Sequence, residues 1–137
     1  MKVISHRGNL NGPSDLENHP EQIKKVLSLG YDCEIDLWYE FGKLFLGHDI
    51  PEYIVHPAFL DQEGLWVHCK NAEALQYCSS NVNYFWHDSD SYTLTSKGFI
   101  WTFPNKPVVD KSIIVDNDRN WRSKYYDCFG VCSDYII

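Results

Sequence analysis

Tyr31-Asp32-Cys33-Glu34-Ile35-Asp36-Leu37-Trp38 is the stretch whose reading decides how this chain folds. At the period of two of an extended strand, Asp32, Glu34 and Asp36 share one face and Tyr31, Cys33, Ile35 and Leu37 the other. A strand within a parallel sheet is buried on both faces, so three carboxylates inside one are costly unless they bind something. Carboxylates two residues apart repel each other, and a hard divalent cation with a preference for oxygen ligands relieves that repulsion. The same spacing also fits a solvated face on an edge strand, and the spacing leaves both readings open.

Working outward, β-type runs recur at Val3–Ser5, Leu65–Cys69, Tyr84–Trp86, Phe99–Thr102, Ile113–Val115 and Val131–Tyr135, which with Tyr31–Trp38 predict seven strands. Between the first two, Pro20, Ile23, Val26, Leu27 and Leu29 follow helical spacing, with Asn18 as N-cap and Gly30 as the stop. Further helices are expected over Asn71–Cys78 and Asp118–Tyr126, with a one-turn piece near Ser91–Ser96. Phe41–Gly47 reads as a glycine-turn hairpin added to the second strand. Strands alternating with helices predict parallel pairing, in an open doubly wound sheet or a barrel. A full eight-unit barrel takes about 250 residues. The expected fold class is therefore α/β: a reduced TIM-like (β/α) barrel of about seven parallel strands, with short or missing helices, spanning residues 1–137 as one domain.

Composition narrows the function. Twelve Lys+Arg against 19 Asp+Glu give a formal net charge of -7, which lacks the basic footprint of nucleic-acid or anionic-membrane binding. No apolar run approaches the about 20 residues of a transmembrane helix. The N-terminal segment turns polar at Ser5-His6-Arg7, before a signal-peptide apolar region develops. Five cysteines, an odd number without a compact framework, suit a reducing compartment, and a cytoplasmic location is expected.

Polar residues gather where the apolar strands end. The first strand ends in Ser5-His6-Arg7-Gly8 and the third in His68-Cys69-Lys70, so imidazole, guanidinium and ammonium groups surround the carboxylates of the second. Cations around a carboxylate-bound metal suit an anionic substrate, phosphate above all. Neither a Gly-rich nucleotide loop nor a Gly-x-Ser-x-Gly elbow is present.

With those residues in view, the chain resembles the glycerophosphodiester phosphodiesterase family of phospholipase-C-like barrels. The resemblance rests on His6-Arg7-Gly8, Glu17-Asn18, Glu34-Ile35-Asp36-Leu37 and Gly47-His48-Asp49 in order, then Trp101-Thr102 and Gly130–Tyr135. It implies a metal-dependent phosphodiesterase with His6 and His48 as the general acid/base pair. It further implies that Arg7 and Lys70 hold the phosphate and that Glu34 and Asp36 bind Mg2+ or Ca2+. The chain departs from the family pattern at His68, where a glutamate is usual. An imidazole in that place makes the site less negative and moves its preference toward Mn2+. His87 and Trp101 are candidates for the substrate pocket, with Trp101 equally suited to core packing. The expected substrate is a glycerophosphodiester-like or glycan-linked phosphodiester, cleaved by hydrolysis or through a cyclic phosphate. A homo-oligomer is expected if barrel strands stay uncovered. The competing reading is a non-catalytic barrel that binds a phosphorylated ligand or a protein partner.

Overall fold

The computed structural model describes residues 1–137. The strands are β1 (Lys2–His6), β2 (Asp32–Glu40), β3 (Lys43–Leu46), β4 (Tyr53–Val55), β5 (Leu65–Cys69), β6 (Tyr84–Phe85), β7 (Tyr92–Leu94), β8 (Ile100–Thr102), β9 (Ser112–Val115) and β10 (Gly130–Ser133). The helices are α1 (Pro20–Ser28) and α2 (Ala72–Tyr77), and short 3₁₀ segments lie at Pro57–Asp61 and Trp121–Ser123.

This corrects the expected architecture. The seven strand positions read from the sequence are occupied by β1, β2, β5, β6, β8, β9 and β10, which pair in parallel along the order β6-β5-β2-β1-β10-β9-β8. A (β/α) barrel, however, does not form. The protein is mostly β, a single curled mixed sheet of ten strands in which β3, β4 and β7 pair antiparallel. Strand pairing does not close the curl: β6 pairs only with β5, and β7 only with β8. The two edges meet instead through Ser96, whose N–H donates to the Tyr84 carbonyl at 2.8 Å and whose hydroxyl accepts from the Tyr84 N–H at 2.9 Å. The helix expected over Asp118–Tyr126 shrinks to one 3₁₀ turn, and the turn expected near Ser91–Ser96 is β7. Between β8 and β9, Pro104 and Pro107 remove backbone donors, so no crossover helix forms there.

Two apolar layers sandwich the sheet. Inside the curl, Ile4, Trp66, Phe85, Trp101, Ile113 and Cys132 pack together, with Phe99 and Phe129 against them. The Phe85 and Trp101 rings stack at 4.6 Å and the Phe99 and Phe129 rings lie 4.5 Å apart. On the outside, Cys33, Ile35 and Leu37 of β2 and Val67 and Cys69 of β5 bury against Ile23 and Val26 of α1 and Ala74 of α2. The opposite faces expected for β2 are thus both buried, and the acidic face turns inward. Helix α1 begins one residue later than the sequence suggested. His19 is its N-cap, accepting from the Glu21 N–H, Pro20 follows at the first turn, and Gly30 closes it at φ 93°.

The β2–β3 hairpin turns through Phe41 and Gly42, at φ 54° and 69°. A two-residue turn with both residues left-handed favours Asn-Gly, and a phenylalanine there is strained. Phe41 is 93% exposed and packs on little. Phe41→Asn is expected to stabilise the protein by about 1 kcal/mol, seen as a higher urea midpoint at unchanged slope.

Candidate metal and acid/base site

The inward face of the curl changes from apolar to polar at one end. Past Ile4 comes His6, past Cys132 comes Asp134, and Glu34 and Asp36 stand on β2 beside His68 on β5, which is in register with Asp36. Glu34 is 2% exposed and Asp36 fully buried. Each is held by a local device. Arg7 and Gly8 turn the chain off β1 in left-handed conformations, at φ 58° and 86°, which returns Asn18 to the sheet. The Asn18 amide then clamps Asp36, donating to Oδ2 at 2.9 Å and accepting from the Asp36 N–H at 2.9 Å. Gly47 is required at the end of β3, since a Cβ there would lie 1.9 Å from the Ile50 carbonyl oxygen. Its N–H donates to the Asp36 carbonyl at 3.1 Å and its carbonyl accepts from the Trp38 indole at 2.7 Å, which sets His48 over Asp36.

Asp36 is the hub. Its Oδ2 lies 3.4 Å from Arg7 Nε and 3.6 Å from His48 Nδ1, and its Oδ1 lies 3.2 Å from His68 Nδ1 without hydrogen-bond alignment. His68 Nδ1 is 3.7 Å from Glu34 Oε2. On its other side, His68 Nε2 is 2.8 Å from the His87 carbonyl, an oxygen that only accepts, so Nε2 carries the proton. A metal-ligating His68 would thus present its Nδ1 lone pair on the side of the two carboxylates. Glu34 Oε1 and Asp36 Oδ1 are buried without any donor. Ligand atoms of Glu34, Asp36 and His68 all lie within 4.8 Å of one another.

Burial, and then the charge of Asp36, push the Glu34 carboxyl well above its ordinary range, with Arg7 opposing. Burial acts on Asp36 in the same sense, but the His48 and His68 imidazoles beside it and the Arg7 guanidinium outweigh it and hold Asp36 well below. Arg7 pairs with Glu17 at 3.6 Å and donates to His48 Nε2 at 3.3 Å. Burial works to lower the Arg7 pKa, yet Glu34, Asp36, Glu17 and Asp134 together raise it. Four carboxylates around one guanidinium leave the site short of positive charge.

His6 is set differently. Its Nδ1 lies 2.8 Å from Asp134 Oδ1, a carboxylate that accepts, while Nε2 points toward Glu34 Oε1 at 3.9 Å. Asn9 donates to the same Asp134 oxygen at 2.9 Å and to Glu17. Despite burial, these contacts and Arg7 hold the Asp134 carboxyl below its ordinary value. An imidazole fixed at Nδ1 by a carboxylate and free at Nε2 is equipped to take a proton.

The structure thus gathers His6, Arg7, Glu34, Asp36, His48 and His68. Lys70 is half-buried just beyond β5, and its ammonium has neither ion pair nor hydrogen bond. His87 reaches the cluster through its carbonyl rather than its ring, which sits 3.0 Å from the Thr93 hydroxyl. Trp101, 4% exposed, is a core residue. The roles of Asp134 and Asn9 were not read from the sequence. The signal was nonetheless present, because Asp134 follows Cys132 on the same strand face, as Asp36 follows Glu34. A cleft of about 460 Å3 lined by Asp32, Leu65 and Asn83 opens at the N-terminal ends of β2 and β5 and holds none of these residues.

No protein-family model matches the chain, and no curated protein or solved structure is significantly similar to it. No helix is long and apolar enough to cross a membrane.

Proposed function

We propose that this chain is a metal-dependent phosphodiesterase that cleaves a glycerophosphodiester-like or glycan-linked phosphodiester, similar in its chemistry to the glycerophosphodiester phosphodiesterases. The observation that carries this reading is the convergence of His68 Nδ1, Glu34 and Asp36, with two buried carboxylate oxygens lacking a donor, beside an imidazole held by a carboxylate. Facing acceptors of this kind call for a cation between them. Two carboxylates and one imidazole fit a divalent ion, and the nitrogen ligand favours Mn2+ over Ca2+. The His87 carbonyl fixes the tautomer that a metal-ligating His68 needs.

A cation held by Glu34, Asp36 and His68 would supply charge neutralisation at a nonbridging phosphate oxygen. The residues around it divide the remaining work. Lys70, free of any internal partner, pairs with the phosphate. Arg7 exchanges part of its contact with Glu17 and Asp36 for the incoming anion. His6 takes the proton of the attacking hydroxyl at Nε2, and the Asp134 carboxylate stabilises the imidazolium that results. Once Arg7 turns to the phosphate, His48 Nε2 is released to carry the proton given to the leaving oxygen.

The test is product release from a panel of glycerophosphodiesters and a chromogenic diester, with Mg2+, Ca2+ or Mn2+ and with chelator. Turnover is expected with metal, Mn2+ foremost, and loss of about 100-fold or more is expected in Asp36→Asn. A folded protein that binds Mn2+ but turns over none of the diesters would instead favour the non-catalytic ligand-binding reading.

A further inference from the structure

On the outer side of β5, away from the carboxylates, two thiols face each other. Cys69, the last residue of β5, and Cys78, the residue that ends α2, have sulfur atoms 3.9 Å apart, close enough for a weak S–H···S hydrogen bond. Among the five free cysteines this is the one pair in sulfur–sulfur contact. Both sit in the outer core beside Ala74 and Val82, with Cys69 1% and Cys78 8% exposed. The segment between them is tied down at its start. Lys70 N–H donates to the Leu37 carbonyl, and the Asn71 amide caps α2 while pairing with both backbone groups of Tyr39. Its far end is looser, because α2 is six residues long and runs into the exposed Ser79-Ser80-Asn81.

We infer that Cys69 and Cys78 are a modification site, a dithiol that hydrogen peroxide closes to a disulfide stapling the end of α2 to β5. A disulfide requires the sulfurs at about 2.05 Å, so they approach by roughly 1.9 Å from their present separation. Strand β5 is paired on both sides and stays in place. The movement falls on Cys78 and the turn that follows it.

The chemistry balances with peroxide as the two-electron oxidant. Cys78 is the less buried of the two and is held toward the thiolate by the Cys69 hydrogen bond. Its thiolate attacks one peroxide oxygen, the O–O bond breaks, and hydroxide leaves with a proton as water. Cys69 then gives up its proton and attacks the Cys78 sulfenic sulfur, forming the S–S bond and expelling a second water. Two thiols and one peroxide yield one disulfide and two waters. The small size of peroxide matters, since a bulky disulfide oxidant does not reach a sulfur this buried.

The experiment treats the whole folded chain with dilute peroxide and follows intact mass and thiol count. A loss of about 2 Da is expected, one pair of hydrogens. After denaturation, alkylation should then find three thiols, five less two. Trypsin cleaves after Lys70 and so separates Cys69 from Cys78, which puts the cross-link between peptides 44–70 and 71–97. Cys128→Ser should close as the wild type does, and Cys78→Ser should not. The inference is overturned if all five thiols survive, if the bond includes Cys128, or if Cys78 gains oxygen without cross-linking. These readouts are independent of catalysis, and the wild-type peptide map decides the matter even if Cys78→Ser does not fold.

Discussion

His6→Ala is expected to lower phosphodiester turnover by about 1000-fold, the effect of removing a positioned general base, while leaving metal binding intact. The side chain stands at the polar end of the curl and is not among the groups that converge with His68, so its loss neither opens the aromatic core nor removes a ligand atom. Asp134→Asn tests the same step from behind. The amide oxygen keeps the contacts with His6 Nδ1 and Asn9, but the negative charge that stabilises the imidazolium is gone. A fall in kcat with KM unchanged is expected for both, because Lys70, Glu34, Asp36 and His68 remain as they were. Retained kcat in His6→Ala, in a protein that still binds Mn2+, would remove His6 from the mechanism.

How much of this could be read from residues alone differs between site and fold. The polar cluster was legible because each member breaks an apolar strand at the same end: His6 after Ile4, Asp36 among Cys33, Ile35 and Leu37, His68 after Val67. Strand period puts Asp36 with Glu34, and His68 with Lys70, on one face of their own strands. The architecture was not legible, because strand positions carry no information about what joins them. Ser112–Val115 and Gly130–Ser133 pair in parallel, which suggests a helical crossover, yet the segment between them crosses back with only the Trp121–Ser123 turn. There Trp121 and Tyr126 pack on Ile114 and Val131 as separate side chains, covering the sheet without a helix. Likewise β4 and β7 are three residues each, too short for an alternating pattern to stand out, and they exist because β3 and β8 offer edges to pair with. Asn18 carried a double signal. Its residue type fits a helix N-cap, but its left-handed backbone turns it to Asp36 and passes the cap to His19.

Glu34→Gln is expected to move stability in opposite directions with and without metal. In the metal-free protein the Glu34 carboxylate is buried 3.7 Å from an imidazole nitrogen, with one oxygen lacking a donor and Asp36 beside it. Removing that charge while keeping the shape should stabilise the fold by about 1–2 kcal/mol at pH 8. The sign follows from linkage. Burial and the Asp36 charge raise the folded pKa of Glu34, so its contribution is fully present below the ordinary carboxylate range and is lost as pH rises through the raised value. The advantage of the glutamine should therefore shrink on acidification. Asp36 behaves in the reverse sense: the neighbouring His48 and His68 imidazoles and the Arg7 guanidinium outweigh burial and depress its folded pKa, so its stabilisation holds above the ordinary range and is lost as pH falls through that depressed value. The two together bracket the metal-free protein from the alkaline and acid sides, and the variant should lose only the alkaline decline. With Mn2+ at about 100 times its Kd, the wild type gains roughly 2.7 kcal/mol by mass action, whereas the glutamine variant, short of one anionic ligand, gains little. Urea unfolding at pH 5 and pH 8, with chelator and with Mn2+, separates the outcomes. If the variant is less stable under every condition, Glu34 is a structural partner of Arg7 and His68 rather than a ligand kept at the expense of stability, and the metal reading of the site falls with it.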